Sequence, residues 1–120
     1  MLSFGSRQVY LARKSCDMRW GVHRLSSWVE SQPKLKPFAG DMFVFLSKDL
    51  TRVKILVWEI TGYWLCRKKL EGGRFVRPVG DNPASRQSAV TLSAAELAML
   101  LEGIQVHRAV YSQHRGVSEG

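Results

Sequence analysis

The 120-residue sequence predicts one α+β domain, in which a small antiparallel sheet meander of about four to six strands is combined with two main helices. Residues 53–78 are rich in β-branched and aromatic residues on both sides of Gly-containing breaks, as paired antiparallel strands are. An apolar stripe at helical spacing runs through residues 17–31, and a capping-box sequence begins at residue 93. A chain of this length has room for one hydrophobic core.

The N-terminal part is expected to contain a short strand and the first helix. The run from Gln8 to Ala12, which is apolar after Gln8, predicts the strand. Asp17 is expected to cap a helix of about residues 17–31, because its carboxylate can accept hydrogen bonds from the free N–H groups of a first turn. The apolar stripe of this helix consists of Met18, Val22, Leu25 and Val29.

The run from Met42 to Leu46 predicts a strand that is apolar on both faces. Such a strand is either central in a sheet covered on both sides or half of an oligomer contact. Five residues connect it to a strand at 53–58, as in an antiparallel meander. A hairpin with a connection of about four residues, 59–62, leads to the next strand, and a short strand is predicted at 74–77.

The C-terminal part is expected to close the domain with a strand and a helix. Residues 80–88 are polar and turn-rich, which predicts a mobile loop, and a short strand is predicted at 89–92. Ser93 starts a capping box for a helix of about residues 93–103, which Gly103 ends. We therefore expect a single domain over residues 1–105 and a flexible tail over residues 106–120.

Composition and charge restrict the class of the protein. A net charge of +8 and a pI near 10.0 indicate a polyanionic partner such as nucleic acid. The apolar runs are too short to cross a bilayer and the N-terminus lacks a signal-peptide pattern, so we expect a cytoplasmic protein with no membrane partner. Cys16 and Cys66 lie far apart and away from ligand-spaced histidines, which predicts free thiols and no metal site.

The sequence contains no motif of a common catalytic or cofactor site. It has no Gly-rich phosphate loop, no nucleophile elbow and no zinc-protease helix. We therefore expect no catalytic residue and no cofactor, and interpret the chain as non-enzymatic. Glu59 and Glu71 are the acidic residues best placed to share a face, which leaves a small metal-dependent nuclease as the less favoured alternative.

Basic residues concentrate in the strand-rich middle of the chain. From Lys48 to Pro78 there are eight Lys or Arg residues against three acidic ones, a local net charge of +5. Such a sheet suits the phosphate backbone of DNA, although the same residues would also solvate one face and protect a sheet edge. The predicted DNA-binding residues are Lys54, Arg67, Lys68, Lys69, Arg74 and Arg77, with Arg19 and Arg24 on the first helix.

The aromatic residues suggest an alternative function, in which the protein is a protein-interaction adaptor that does not bind DNA directly. The chain has four tryptophans, which suit core or interface packing and also stacking on unpaired bases. Tyr63 and Trp64, beside the basic run, are best placed for such stacking. The predicted interface, for a partner protein or a second copy in a homo-oligomer, comprises Phe43, Phe45, Trp58, Tyr63 and Trp64.

Several motifs resemble the TnpB accessory protein (the second open reading frame) of IS 66-type insertion sequences. The motifs, in chain order, are Val9-Tyr10-Leu11-Ala12, Asp17-Met18-Arg19-x-Gly21, Phe43-Val44-Phe45, Lys54-Ile55-Leu56-x-Trp58, Glu71-x-Gly73-Arg74-Phe75 and Leu100-Leu101-Glu102-Gly103-Ile104. The resemblance covers roughly residues 7–105. It implies a non-catalytic accessory role in DNA transposition beside a separate transposase, so that the DNA and the transposase of the element are the expected partners.

Overall fold

The described residues form five strands and two helices around one sheet. The computed structural model describes residues 7–33, 35, 39–78 and 87–104. The strands are β1 (Val9–Ala12), β2 (Met42–Leu46), β3 (Arg52–Glu59), β4 (Gly62–Lys69) and β5 (Ala89–Leu92), and the helices are α1 (Val22–Ser31) and α2 (Ala94–Leu101). The predicted α+β class is confirmed.

The strands follow the order β4-β3-β2-β1-β5, with β2 in the centre. β2, β3 and β4 form the expected antiparallel meander. β1 pairs with β2 in parallel, from Val9↔Met42 to Leu11↔Val44, so the sheet is mixed rather than wholly antiparallel. The connection explains this pairing, because the chain passes through α1 between the two strands and a helical crossover returns it in the same direction.

Both faces of the sheet are covered within one chain, which decides between the two arrangements that the apolar β2 left open. On one face, here called the α1 face, Leu25 and Val29 of α1 pack in one cluster with Phe43, Phe45 and Leu56. On the other, the α2 face, helix α2 and the segment after β4 contribute to the second cluster. All five residues of β2 are at most 2% exposed, so this strand is central and not an oligomer contact.

Helix α1 begins at Val22, five residues later than predicted. Asp17 closes a local turn instead: its Oδ1 accepts from the N–H of Arg19 (2.9 Å), and its carbonyl accepts from the N–H of Trp20 (3.0 Å). Gly21, with extended backbone, then precedes the helix, and no side chain caps it. An Asp that bonds the backbone two residues on competes with helix formation, which explains the delayed start. This segment is called the 17–20 turn below.

The predicted strand at residues 74–77 is not formed, and the segment contributes to the core instead. The side chain of Phe75 is 1% exposed within the cluster of the α2 face. Its N–H donates to the carbonyl of Leu50 (2.6 Å) in the β2–β3 connection. Gly73 has a φ of 73°, a left-handed conformation that turns the chain away from the ladder of β4.

The second helix has the ends that the sequence predicts. Ser93 Oγ accepts from the N–H of Glu96 (3.0 Å), and Glu96 Oε1 accepts from the N–H of Ser93 (2.8 Å), which completes the capping box. At the C-terminal end Gly103 has a φ of 78° and donates to the carbonyl of Leu100 (3.0 Å). The helix itself spans Ala94–Leu101, close to the predicted bounds.

Some predictions fall outside the described residues. These are the tail at 106–120 and most of the loop at 80–88. The division into a domain over residues 1–105 and a tail therefore stays a prediction. Neither α1 nor α2, the helices of the described ranges, is long and apolar enough to cross a bilayer.

The β2–β3 connection is held by the carboxylate of Asp49. Its Oδ1 accepts from Ser47 Oγ (2.8 Å), from Thr51 Oγ1 (2.8 Å) and from the N–H of Thr51 (3.1 Å). The bonds from Ser47 and Thr51, with a smaller contribution from the charge of Arg52, lower the pKa of Asp49 to about 2. The ionised form of this carboxyl is therefore favoured in the folded chain.

Acid should weaken the fold through Asp49. Because its pKa falls from about 3.9 in an unfolded chain to about 2 when folded, its contribution is complete above about pH 4 and is lost as the pH falls toward 2. We expect Asp49→Asn to lower the thermal unfolding midpoint at neutral pH, and the difference from wild type to shrink between about pH 4 and pH 2. Circular dichroism melts across this range test it; a pH-independent difference would contradict the assignment.

Candidate nucleic-acid interface

Four cationic residues lie together at the open end of the β3–β4 hairpin. The register pairs Arg52 with Lys69 and Lys54 with Arg67, and directly paired residues of antiparallel strands point to the same face, here the α1 face. These four residues, called the β3–β4 cation cluster, contribute to a cavity of about 270 Å³ that Met18 also lines. Like charges placed opposite each other destabilise a sheet, and a bound anion would offset that cost.

Three members of the cluster are exposed to solvent. Arg52, Arg67 and Lys69 have no ion-pair partner among the residues that the structure describes. Arg52 contributes to the low pKa of Asp49, but less than the hydrogen bonds from Ser47 and Thr51 do. The open end of the hairpin therefore carries an uncompensated positive charge.

The fourth member, Lys54, is part of the fold. Its side chain is only 7% exposed, and its ammonium donates to the carbonyls of Met18 (2.7 Å) and Trp20 (2.8 Å). Lys54 therefore anchors the 17–20 turn to β3, and the phosphate contact expected for it would require breaking these bonds. Its charge still adds to the potential of the cluster.

The 17–20 turn and α1 bring two further expected DNA-binding residues to the α1 face. Arg19 donates to both carboxylate oxygens of Asp17 (Nη2–Oδ2 2.8 Å, Nε–Oδ1 3.1 Å), and these bonds are the main reason that the pKa of Asp17 falls to about 2. The guanidinium carbon of Arg24 lies 4.8 Å from the ring centroid of Trp20, a cation–π contact. The charge of Arg19 is thus paired, while Arg24 adds positive charge beside the residue whose carbonyl binds Lys54.

The remaining expected DNA-binding residues lie outside the cluster. Lys68 lies at the edge of the same cavity, but its register places it on the α2 face, where its ammonium donates to the carbonyl of Leu101 (2.9 Å) and pairs with Glu102 (3.7 Å). Arg74 is exposed on the segment after β4. Arg77 is half-buried and donates to the carbonyl of Ala12 (3.0 Å), and burial lowers the pKa of its guanidinium. The structure therefore does not bring the eight predicted residues into one surface.

The aromatic residues of the expected partner interface divide into core and surface. Phe43 and Phe45 are each 2% exposed under α1 and belong to the core, so they are not accessible to a partner. Trp58 is half-buried and packs edge-to-face on Phe43 (6.1 Å between centroids) and on Tyr63 (4.8 Å). Tyr63 and Trp64 are 41% and 52% exposed, and they remain candidates for a protein contact.

Sequence reasoning missed two residues of these surfaces. Arg52 joins the cation cluster, and Ile60, at 91% exposed, joins Tyr63 and Trp64 in what is called here the apolar hairpin tip. Arg52 was missed because the predicted strand began at residue 53, whereas β3 begins at Arg52. The turn itself has two residues rather than about four, but its centre is the same. Counting back from the centre of the turn pairs Arg52 with Lys69, which charge density alone does not show.

The acidic pair considered for a nuclease is separated by the hairpin. Glu59 pairs with Gly62 at the turn, whereas Glu71 follows the far end of β4. At about 3.3 Å per residue, eight strand residues place the two carboxylates more than roughly 20 Å apart. Metal-dependent phosphoryl transfer needs carboxylates that converge on ions about 4 Å apart, so these two residues cannot share such a site.

Comparison with known proteins connects this architecture to a family. The sequence matches the family described as IS66 Orf2-like protein over residues 7–111. The chain belongs to the IS66 Orf2-like family. Two uncharacterized proteins of Sinorhizobium fredii (strain NBRC 101917 / NGR234) are similar to it: y4hO is 34% identical over 97 residues, and y4jC is 30% identical over 97 residues. These alignments cover 81% of this chain, with 80% of y4hO and 79% of y4jC.

Family membership suggests an accessory role in transposition of IS66-type insertion sequences, which is the role implied by the sequence motifs. No solved structure matches the chain. Within the described ranges, no group of three or more His, Cys, Asp or Glu residues is placed to hold a metal ion.

The anchoring role of Lys54 gives a stability prediction. Lys54→Met keeps the apolar stem but leaves the carbonyls of Met18 and Trp20 without their donor, which should cost about 1–3 kcal/mol of unfolding free energy. Lys69→Met, the same change at an exposed member of the cluster, should cost less than about 0.5 kcal/mol. Urea denaturation measures both, and equal destabilisation by the two changes would contradict the anchoring role.

Proposed function

We propose that this chain is a non-catalytic accessory protein of its insertion sequence that binds DNA through the β3–β4 cation cluster. The observation that carries the proposal is the register of the hairpin, which places two cation pairs on one face. Family membership supports the process, and the cluster supplies a mechanism for the contact with DNA. Phosphate contacts of this kind position a protein on DNA without reading its sequence.

Protection of a sheet edge explains only part of the cluster. β4 is an edge strand, and Lys or Arg on such a strand discourages pairing with another chain. Arg52 and Lys54, however, lie on β3, which is paired on both sides. The bonds of Lys54 to the 17–20 turn account for its own placement. The pairing of Arg52 with Lys69 adds repulsion inside the sheet, which an anionic partner explains better than edge protection does.

The chemistry of the cluster suits phosphate. Two cation pairs separated by two residues along a strand lie about 7 Å apart, which is a patch for neighbouring phosphates. Arg52 and Arg67 can each bind a phosphate through two parallel N–H bonds, and Lys69 adds a compact charge. Arg24 extends the positive surface along α1.

Removing the exposed cations of β4 tests the proposal. We expect Arg67→Ala with Lys69→Ala to weaken binding of labelled duplex DNA, measured by fluorescence anisotropy across a salt series. The slope of log affinity against log salt should become shallower by about 0.9 for each phosphate that the variant no longer neutralises. The matched control is Lys48→Ala with Arg74→Ala, which removes the same charge from exposed residues that do not line the cavity of the cluster, and should have the smaller effect. Unchanged affinity in the β4 variant would refute the proposal.

A second candidate function is docking of the element's transposase on the apolar hairpin tip. Ile60, Tyr63 and Trp64 are 91%, 41% and 52% exposed at one turn, and exposed large apolar side chains are typical of protein contacts. Tyr63 pairs with Trp58 on the α1 face and Trp64 with Val57 on the α2 face, so a partner would contact the turn from both faces. This is the adaptor alternative, restricted to residues that reach the surface. It is compatible with DNA binding, because the tip and the cluster lie at opposite ends of the hairpin.

The tip makes a separate prediction. We expect Ile60→Ser with Trp64→Ser to reduce capture of the purified transposase by the immobilised protein at least tenfold, because exposed aromatic anchors supply much of a typical interface energy. Met99→Ser with Ile104→Ser alters two apolar residues that are 36% and 50% exposed near the end of α2, and should leave capture unchanged. Equal capture by wild type and the tip variant would exclude this docking site.

A further inference from the structure

A second, larger cavity lies beside the cation cluster and shares the 17–20 turn with it. Its volume is about 700 Å³, which falls in the range of small-ligand sites. Met18 of the turn lines the smaller cavity of the cluster, whereas Asp17 and Trp20 line the larger one. A strand of nucleic acid on the cluster would therefore have the larger cavity next to it.

Aromatic side chains form the apolar part of the larger cavity. Trp20, Trp28 and Phe45 line it, and Trp28 packs edge-to-face on Phe45 with 5.6 Å between ring centroids and 80° between planes. This contact holds the ring of Trp28 against the sheet. The guanidinium of Arg24 covers one face of Trp20 (4.8 Å to the ring centroid), so a stacked ligand would meet the opposite face of Trp20 or the ring of Trp28.

The polar lining favours an electron-rich or anionic ligand over a cationic one. Arg13 and Lys14 contribute positive charge at the wall, together with Ser15, Gln32, Gln87 and Ser88 as hydrogen-bonding groups. Asp17 is the acidic member of the lining, and its carboxylate is already bound by Arg19. A lysine or arginine side chain of a protein partner would therefore meet like charge at this wall.

We infer that this cavity binds one unpaired nucleobase of a DNA strand whose phosphates lie on the β3–β4 cation cluster. The inference rests on the proposed DNA-binding function. Aromatic walls supply stacking, the polar lining supplies hydrogen bonds to the base edge, and the cations hold the phosphates on either side. A base in a duplex is stacked on its neighbours and cannot enter, so the cavity selects single-stranded or locally opened DNA.

The test compares three labelled oligonucleotides of equal length by fluorescence anisotropy at low salt: a mixed-sequence single strand, its duplex, and an abasic strand with the same phosphates. We expect the single strand to bind about tenfold more tightly than the abasic strand, which is the effect of one stacked base. Equal affinity for these two strands would overturn the inference while leaving the proposed phosphate contacts intact. Absence of binding to all three would refute the proposed function itself.

Substitutions in the cavity lining test whether the base binds there. Trp20→Leu removes one aromatic wall and should abolish the preference for the single strand over the abasic strand. Ser15→Leu, a change at an exposed lining residue, should narrow the cavity without adding a stacking surface, and should abolish the preference in the same way while leaving the core intact. Trp64→Leu is the matched control, because this tryptophan is exposed at the hairpin tip. Loss of the preference in Trp64→Leu alone would place the base on the hairpin tip and overturn the inference.

Discussion

Both cavities depend on the ammonium of Lys54. It lies beneath the 17–20 turn and donates to the carbonyls of Met18 and Trp20, so the turn is bound to β3 although α1 has not yet begun. A buried charge is costly unless it is hydrogen-bonded, and here two carbonyl oxygens replace its hydration. Because Met18 lines one cavity and Trp20 the other, one side chain sets the distance between the cation cluster and the aromatic walls.

The parts of the fold that were predictable from sequence are those specified by local chemistry. The capping box at Ser93 bonds the free backbone N–H groups at the start of its own helix. The apolar run of β2 predicted a strand covered on both faces, and the two helices of this chain provide that cover. The direction of β1 relative to β2 was not predictable in this way, because it depends on how α1 crosses the sheet. Asp17 shows a second limit: one carboxylate suits either a helix cap or a turn, and the bond to the N–H of Arg19 selects the turn.

The candidate site was predictable as a concentration of charge, but its geometry was not. Which cations share a face follows from strand register, and register follows from where the turn is centred. That register brings Arg52 into the cluster and sends Lys68 to the opposite face. Burial then separates two lysines of the same cluster. Lys54 is enclosed by the 17–20 turn, whereas Lys69 is exposed to solvent. No pattern within the hairpin sequence specifies that enclosure, since it depends on residues far away in the chain.

The two candidate functions of the hairpin are complementary rather than exclusive. The cation cluster lies at its open end and the apolar tip at its turn, about 20 Å away for six residues of strand from Lys54 to Ile60. Because the two sites lie at opposite ends of the hairpin, DNA bound at one end would leave the other end free to bind a protein. A protein held at the tip would be kept at a defined distance from the bound phosphates. Family membership suggests an accessory role in transposition, and the two proposed contacts are compatible with such a role.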